Sequence, residues 1–436
     1  MQTGADYNQN LRTELSQLFE NKQFVNFICS HGLQGLIFTS FVVTEQWLVV
    51  NELKASAMLG VVMMAATIPR LIMMLIGGTI IDRFNSKNVM LFSNFTRIFI
   101  LCLEGVLFLN DLLTLPVLIC LAVIFGLLDA IFFPATMSLV PKIVSKDLLT
   151  RVNAIQRGSF QVLMMMGGVL AAFVISIGSF ASSFFAMAGI ILVSSLFLVR
   201  VNVPKDEDES INNSKKKSNE SNKKKKMFED LVEGYKYINK HSNIGICLII
   251  LLLTNLFFVG PIGIAIPLIV EKMLNGDAFI LSLYQGTWAA GLLVGSVASI
   301  LLNLNKNRLK RSVALLAIQG TSLVIIGTIT VIWVHLGIIL IVAICASLIS
   351  VPIISYIQEN TEKQVLGRVM SLLSASSMGI LPIAYSLVSG AISIGFGVSI
   401  ILQVSGGILM AYCIYLAFNK RLVSRVSKGE IKNAKL

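Results

Sequence analysis

Twelve long apolar stretches constrain this chain more than any other feature of its sequence. Each has about 20 residues or more, the length that an α-helix needs to cross roughly 30 Å of hydrocarbon. Membrane barrel strands would alternate apolar and polar residues, and these stretches do not alternate. With a mean hydropathy of +0.81, they predict an all-α integral membrane protein. The stretches are 23–50, 57–81, 88–109, 116–140, 152–177, 180–200, 241–270, 279–303, 312–334, 337–358, 367–392 and 396–419.

The chain also repeats itself at an interval of 217 residues. Three matches carry the repeat: LLTRVNA at 148–154 matches VLGRVMS at 365–371, SIG at 176–178 recurs at 393–395, and Gly78 corresponds to Gly295. Because the two copies fall in corresponding apolar stretches, the sequence predicts two six-helix halves. We place these halves at 23–200 and 241–420.

A polar segment of low complexity separates the two halves. Residues 201–226 (VNVPKDEDESINNSKKKSNESNKKKK) have little apolar surface to bury and predict a flexible cytoplasmic linker. Its lysine runs either fix the topology or contact anionic headgroups. Over 228–235 apolar residues recur at helical spacing, which predicts a short amphipathic helix on the inner membrane surface. Linker and helix together occupy 201–240.

The net charge of +12 reflects membrane orientation. Of the 35 Lys and Arg residues, the expected outward loops contain only Lys54 and Lys272, as the positive-inside rule requires. Residues 1–22 lack the basic start and apolar core of a signal peptide, and 421–436 form a basic tail. We therefore expect both termini in the cytoplasm, a multi-pass protein of the cell membrane, and no nucleic-acid partner.

Four short motifs lie beside or within the predicted spans: GTIIDRFNSK at 78–87, SNFTR at 93–97, VEGYKYINKHSNI at 232–244 and LGRVMSLLS at 366–374. The first resembles the signature of the major facilitator superfamily in the loop between its second and third helices. The other three resemble the branch that holds macrolide-efflux proteins and the enterobactin exporter. The resemblance covers 22–420. It implies the major facilitator fold, twelve helices in two pseudo-symmetric halves with a substrate site between them.

The motif from Gly78 to Lys87 has two interpretations. The resemblance implies a conformational gate in which Gly78 lets helices approach and Asp82, Arg83 and Lys87 form ion pairs at the cytoplasmic edge. The alternative is that Arg83 and Lys87 only fix the topology. Small residues in the fifth and eighth stretches predict close helix crossings at Gly167, Gly168, Gly291 and Gly295.

Three ionisable residues fall near the middle of predicted spans: Arg70, Arg97 and Asp129. An isolated charge in hydrocarbon is costly, so we expect Asp129 to form a buried ion pair with an arginine. Such a pair is either a permanent brace inside the N-terminal half or part of a proton or substrate site. The second interpretation follows because the surplus arginine would attract an anion.

Further candidates for proton coupling or the substrate cavity are weaker. Glu104 in the third stretch and Glu45 at the outer end of the first are expected within reach of headgroups. Gln34 stands where the resemblance implies an acid in the first helix, and this substitution weakens the case for proton coupling there. His31 lies one turn earlier and either titrates near neutrality or packs as a hydrogen-bonded histidine.

Motifs of enzymes and of ATP-driven pumps are missing from the sequence. It has no Walker loop, metal-ligand pair or nucleophile motif, and its six cysteines lie singly. We therefore predict no enzyme activity, cofactor or metal.

The resemblance implies a monomeric secondary exporter that moves a small amphipathic or anionic organic molecule, such as a siderophore, metallophore or drug, by proton antiport with alternating access. The alternative is a transport-inactive membrane sensor or scaffold acting through the Lys-rich linker. The mid-span charges and the Asp-Arg motif speak against a scaffold, because a scaffold needs neither.

Overall fold

The computed structural model describes residues 18–81, 85–144, 148–202, 236–238, 241–301, 308–362 and 379–418, with a few positions between 365 and 377. Asp82 and Arg83, nearly all of the predicted linker and amphipathic helix, and the basic tail lie outside these ranges. The chain divides into two compact units. The first is Met1–Leu48 with Ala65–Lys217, and the second is Val49–Met64 with Ser218–Leu436.

Six helices belong to the first half of the sequence: α1 Lys22–Trp47, α2 Leu59–Ile81, α3 Ser86–Leu109, α4 Leu115–Ile143, α5 Leu149–Ile177 and α6 Phe180–Val199. Side chains fix several of their starts. The Asn21 carboxamide oxygen accepts from the backbone N–H of Gln23 at the start of α1, and Asn85 and Ser179 cap α3 and α6 in the same way. Such caps satisfy backbone donors that have no partner inside the helix.

Within the first unit, α1 packs on α5 and α6, and α3 packs on α4 and α6. Glycine makes the α1–α5 crossing close. A Cβ atom on Gly35 would collide with the backbone of Phe160, and one on Gly167 would collide with the carbonyl oxygen of Leu36. Gly168 beside it is also buried. The Ser40 hydroxyl donates to the Gly167 carbonyl at 2.8 Å, a contact that only such a close approach permits.

The described part of the second unit contains these further helices: α7 Ser242–Thr254, α8 Gly260–Leu268, α9 Ala278–Leu301, α10 Arg308–Ile326, α11 Ile332–Asn360, α12 Leu381–Ser393 and α13 Val398–Phe418. A π-helical segment, Asn255–Val259, joins α7 to α8, and a second one, Ile269–Met273, follows α8. Helices α9 and α11 cross closely. Cβ atoms on Gly291 and Gly295 would lie 2.7 and 2.6 Å from the carbonyl oxygens of Leu340 and Ile344.

Residues 49–64 belong to the first half by sequence but pack within the second unit. The Lys54 ammonium lies 3.0 Å from the carboxylate of Glu271, and these two residues are 217 positions apart. The Gly60 N–H donates to the Ser389 hydroxyl at 2.9 Å, and that hydroxyl donates to the carbonyl of Ala57 at 2.7 Å. Ser389 of α12 thereby caps the start of α2.

Ten helices of the described chain are long and apolar enough to cross a membrane, so the chain is a multi-pass membrane protein. Within the described residues, the predicted boundary between the stretches 312–334 and 337–358 is wrong. The predicted stretch 312–334 is too long at its end, because α10 ends at Ile326 and a turn follows at Gly327 and Thr328. The next helix, α11, begins at Ile332 and not at the predicted residue 337. Gly327 and Thr328 do not interrupt the apolar pattern of the sequence, although both residue types are weak helix formers.

Candidate functional site

Arg97 is the centre of a polar cluster inside the first unit. Its side chain is 0% exposed, and its guanidinium has three partners. Nη1 donates to Oδ1 of Asp129 at 3.1 Å, and Nη2 donates to the carboxamide oxygens of Gln34 and Asn94, each at 2.6 Å. Helices α1, α3 and α4 therefore converge on one buried cation. We call Arg70, Arg97 and Asp129 with Gln34 and Asn94 the charged cluster.

Arg70 of α2 contacts the same aspartate from a less enclosed position. Its Nε lies 3.4 Å from Oδ2 of Asp129, and its side chain remains 23% exposed. The guanidinium carbon stands 4.0 Å from the centre of the Phe38 ring, a cation–π contact. Asp129 thus bridges two arginines, and these three side chains together carry one surplus positive charge.

Serines of α6 hold the two carboxamides of the cluster. Gln34 donates to the hydroxyl of Ser194 at 2.9 Å, and Asn94 donates to that of Ser195 at 3.0 Å. Ser194 in turn donates to the carbonyl of Ser30 at 3.0 Å. Because both amides are fixed on their NH₂ side, their oxygens are oriented towards Arg97 before any ligand arrives. This is the preorganisation that a binding site needs.

The ion pair predicted from the sequence is present, whereas Asn94, Ser194 and Ser195 were not predicted. A signal for Asn94 was available, because it stands one helical turn before Arg97 in the SNFTR motif, where residues i and i+3 are neighbours. The serine pair in α6 gave a weaker signal, since small polar residues are common in membrane helices.

His31 lies near the cluster on α1 but is engaged in packing. It is buried against the rings of Phe27 and Phe160, with ring centres 5.8 and 5.3 Å away. Its Nε2 lies 3.2 Å from the amide nitrogen of Gln156. Of the two interpretations of His31, this geometry favours a hydrogen-bonded packing histidine.

The position expected for Glu45 and Glu104 was wrong. Both residues are 0% exposed within the first unit, so neither reaches headgroups. The hydropathy of the first and third stretches could not reveal that neighbouring helices cover these two side chains. All four of their carboxylate oxygens are buried without a hydrogen-bond partner among the described residues.

The predicted gate motif is only partly described. Gly78 lies in α2, and Asp82 and Arg83 fall outside the described ranges. The Lys87 ammonium donates to the carbonyls of Val199 and Val201 at 2.8 and 2.6 Å. A lysine at these carbonyls stabilises the C-terminal end of α6, so Lys87 acts there as a helix cap, and a gating role stays a prediction.

Charged and amide side chains that converge in this way can bind an anion. Within the ranges that the structure describes, no group of three His, Cys, Asp or Glu side chains is placed to hold a metal ion.

Comparison with known proteins agrees with this architecture. The sequence pattern of the Major Facilitator Superfamily matches residues 27–384. Three solved structures with the same fold are the nucleoside transporter NupG, a POT family transporter in complex with 5-aminolevulinic acid, and the xylose transporter XylE from E. coli. For NupG the identity is 12%, the TM-score 0.65, and the alignment covers 92% of this chain and 98% of that one.

The other two structures are as distant in sequence. The POT family transporter shows 11% identity, a TM-score of 0.67 and coverage of 92% and 96%, and XylE shows 10%, 0.63, 90% and 94%. No curated protein sequence gives a match. Identities this low establish the fold alone, whereas the superfamily match covers most of the chain. The protein is therefore a transporter that belongs to the Major Facilitator Superfamily.

Proposed function

We propose that the protein exports a small anionic or amphipathic organic molecule from the cytoplasm by proton antiport, with Arg70 of the charged cluster as the group that binds the anion. Alternating access between its halves would carry the cargo across. The proposed direction of transport rests on the motifs that resemble macrolide-efflux proteins and the enterobactin exporter.

The observation that carries the proposal is the difference between the two arginines. Arg97 is enclosed and bonded to Asp129, Gln34 and Asn94, whereas Arg70 keeps part of its side chain exposed and touches Asp129 through Nε alone. A guanidinium has five donors, so Arg70 can engage a carboxylate or phosphate in the two-pronged geometry that arginine favours.

Charge and shape both support an anionic cargo with an apolar part. The surplus positive charge of the cluster is costly in a membrane interior, and an incoming anion would neutralise it. The Phe38 ring beneath Arg70 offers an apolar face on which an aromatic or aliphatic group could pack. A siderophore or metallophore with carboxylates fits this description better than a cationic macrolide.

Thermal stabilisation of the purified full chain in detergent tests the proposal. The probes are salicylate, 2,3-dihydroxybenzoate and citrate, salicylamide as the neutral partner of the first, and erythromycin as a cationic drug. A ligand that binds only the folded state at a hundred times its Kd stabilises it by about 2.7 kcal/mol. We expect stabilisation by at least one anion, its loss in Arg70→Gln, and its partial retention in Arg70→Lys. Equal stabilisation by salicylate and salicylamide, or an anion effect that survives in Arg70→Gln, would contradict the role of Arg70.

A further inference from the structure

Glu45 and Glu104 are two acidic side chains that the charged cluster does not use. Each residue is fully buried, and none of their four carboxylate oxygens has a hydrogen-bond partner in the described chain. The two groups lie close enough to interact electrostatically. Buried carboxylates normally have hydrogen bonds or a cation as partner, so these unsatisfied oxygens point to a small positive ligand.

Contacts with α6 place the two residues at the same level of the unit. The hydroxyl of Thr44, next to Glu45, lies 2.8 Å from that of Ser183. A Cβ atom on Gly105, next to Glu104, would lie 2.8 Å from the ring of Phe185. Glu45 of α1 and Glu104 of α3 are therefore both level with the stretch of α6 around Ser183 and Phe185.

Among the described residues, neither carboxylate of this pair has a hydrogen bond or ion pair with a cation of the protein. Helix α6 has no titratable side chain. Arg97, the nearest cation along α3, is seven residues from Glu104 and is bonded to Asp129 and its amides. The other titratable side chains on the four packed helices are Lys22, Cys29 and His31 on α1, Lys87 and Cys102 on α3, Cys120, Asp129 and Lys142 on α4, and Arg151 and Arg157 on α5.

We propose that Glu45 and Glu104 form a buried carboxyl pair that binds the transported proton. Two like charges in an apolar site cannot both persist, and two adjacent carboxyl groups can share a proton, as known acidic dyads do. Asp129 is less suited to this task because its carboxylate already pairs with two arginines. A sodium ion is the other small cation that these carboxylate oxygens could hold, and the experiment below separates the two.

The pair is linked to the charged cluster through the same three helices. On α3, Glu104 follows Arg97 by seven residues, or about two turns and 10.5 Å of rise. On α1, Glu45 follows Gln34 by eleven residues, or about 16 Å, and α6 contacts both levels through Ser194 and Ser183. In proton antiport, proton uptake by the pair must accompany release of the anion, so the link between the two levels would be a movement of these shared helices between the two states of the transporter. This coupling rests on the proposed proton antiport, whereas proton binding by the pair does not.

Infrared spectroscopy of the purified full chain tests proton binding without any cargo. The carbonyl stretch of a protonated carboxyl group is separate from the bands of ionised carboxylates, and it shifts in D₂O. At neutral pH we expect this band in the wild type, its loss or reduction in Glu45→Gln and in Glu104→Gln, and its full retention in Glu52→Gln. The last variant removes an exposed carboxylate seven residues after Glu45.

The outcomes separate this proposal from the proposed function. A wild type without the band at neutral pH, or both buried variants with an unchanged band, would overturn the proton site. Stabilisation of the wild type by Na⁺ but not by K⁺, together with the missing band, would make the pair a sodium site. If the band behaves as expected while no anion stabilises the protein, the proposed cargo is wrong and the proton site stands.

Discussion

Asp129 holds two arginines with one carboxylate, and the two contacts have different consequences. Arg97 lies between aromatic rings, 5.6 Å from the centres of both Phe125 and Phe132, where water cannot replace a lost partner. Arg70 keeps access to its surroundings. We therefore expect the same aspartate to brace the unit through Arg97 and to position Arg70 for the proposed anion.

The substitution Asp129→Asn tests the brace. It preserves the shape of the side chain but leaves Arg97 buried without a counter-charge, which costs about 3–5 kcal/mol. We expect a clearly lower melting temperature in detergent. Asp111→Asn is the matched control, because Asp111 is exposed and its positive φ of 56° suits asparagine. An Asp129→Asn variant that melts with the wild type would contradict the brace.

At the scale of helices, the α1–α5 crossing depends on the absence of side chains at Gly35 and Gly167. The substitution Gly167→Ala would drive a methyl group into the backbone of Leu36, and such overpacking costs about 1–3 kcal/mol. Gly158→Ala is the same change on the same helix at a position where nothing lies within 4 Å. We expect Gly167→Ala to lower the melting temperature and Gly158→Ala to leave it unchanged or raise it slightly. Equal melting temperatures of the two variants would show that the α1–α5 crossing can accommodate the added methyl group, which would contradict this account.

The segment 49–64 is held in the second unit partly by an exposed ion pair. Lys54 is 66% exposed, so its pair with Glu271 should contribute only about 0–1 kcal/mol. The substitution Lys54→Glu should destabilise the protein slightly, and the double variant Lys54→Glu with Glu271→Lys should restore its stability. A double-mutant cycle on melting curves measures this coupling. Additive effects of the two substitutions would mean that the ion pair contributes nothing.

At the scale of the whole molecule, most of the spans and the superfamily could be predicted from the sequence because both are encoded locally. An apolar stretch is visible residue by residue, and so are the mid-span charges Arg70, Arg97 and Asp129. Contacts between distant parts of the chain were not visible. Gln34 and Ser194 are 160 residues apart, and burial of Glu45 and Glu104 depends on helices that the hydropathy of α1 and α3 does not describe. The placement of 49–64 in the second unit likewise depends on tertiary contacts.

The measurement that tests proton-driven export of an anion most directly is the accumulation of an anion by inverted membrane vesicles that contain the protein. The probe is the anion that gives the largest thermal stabilisation. The driving force is an imposed pH gradient in which the lumen of the vesicles is acidic. We predict accumulation in the wild type that stops when the gradient is collapsed, that is lost in Arg70→Gln and that is partly kept in Arg70→Lys. Accumulation that is independent of the pH gradient, or that is unchanged in Arg70→Gln, would contradict proton-driven export of an anion through the charged cluster.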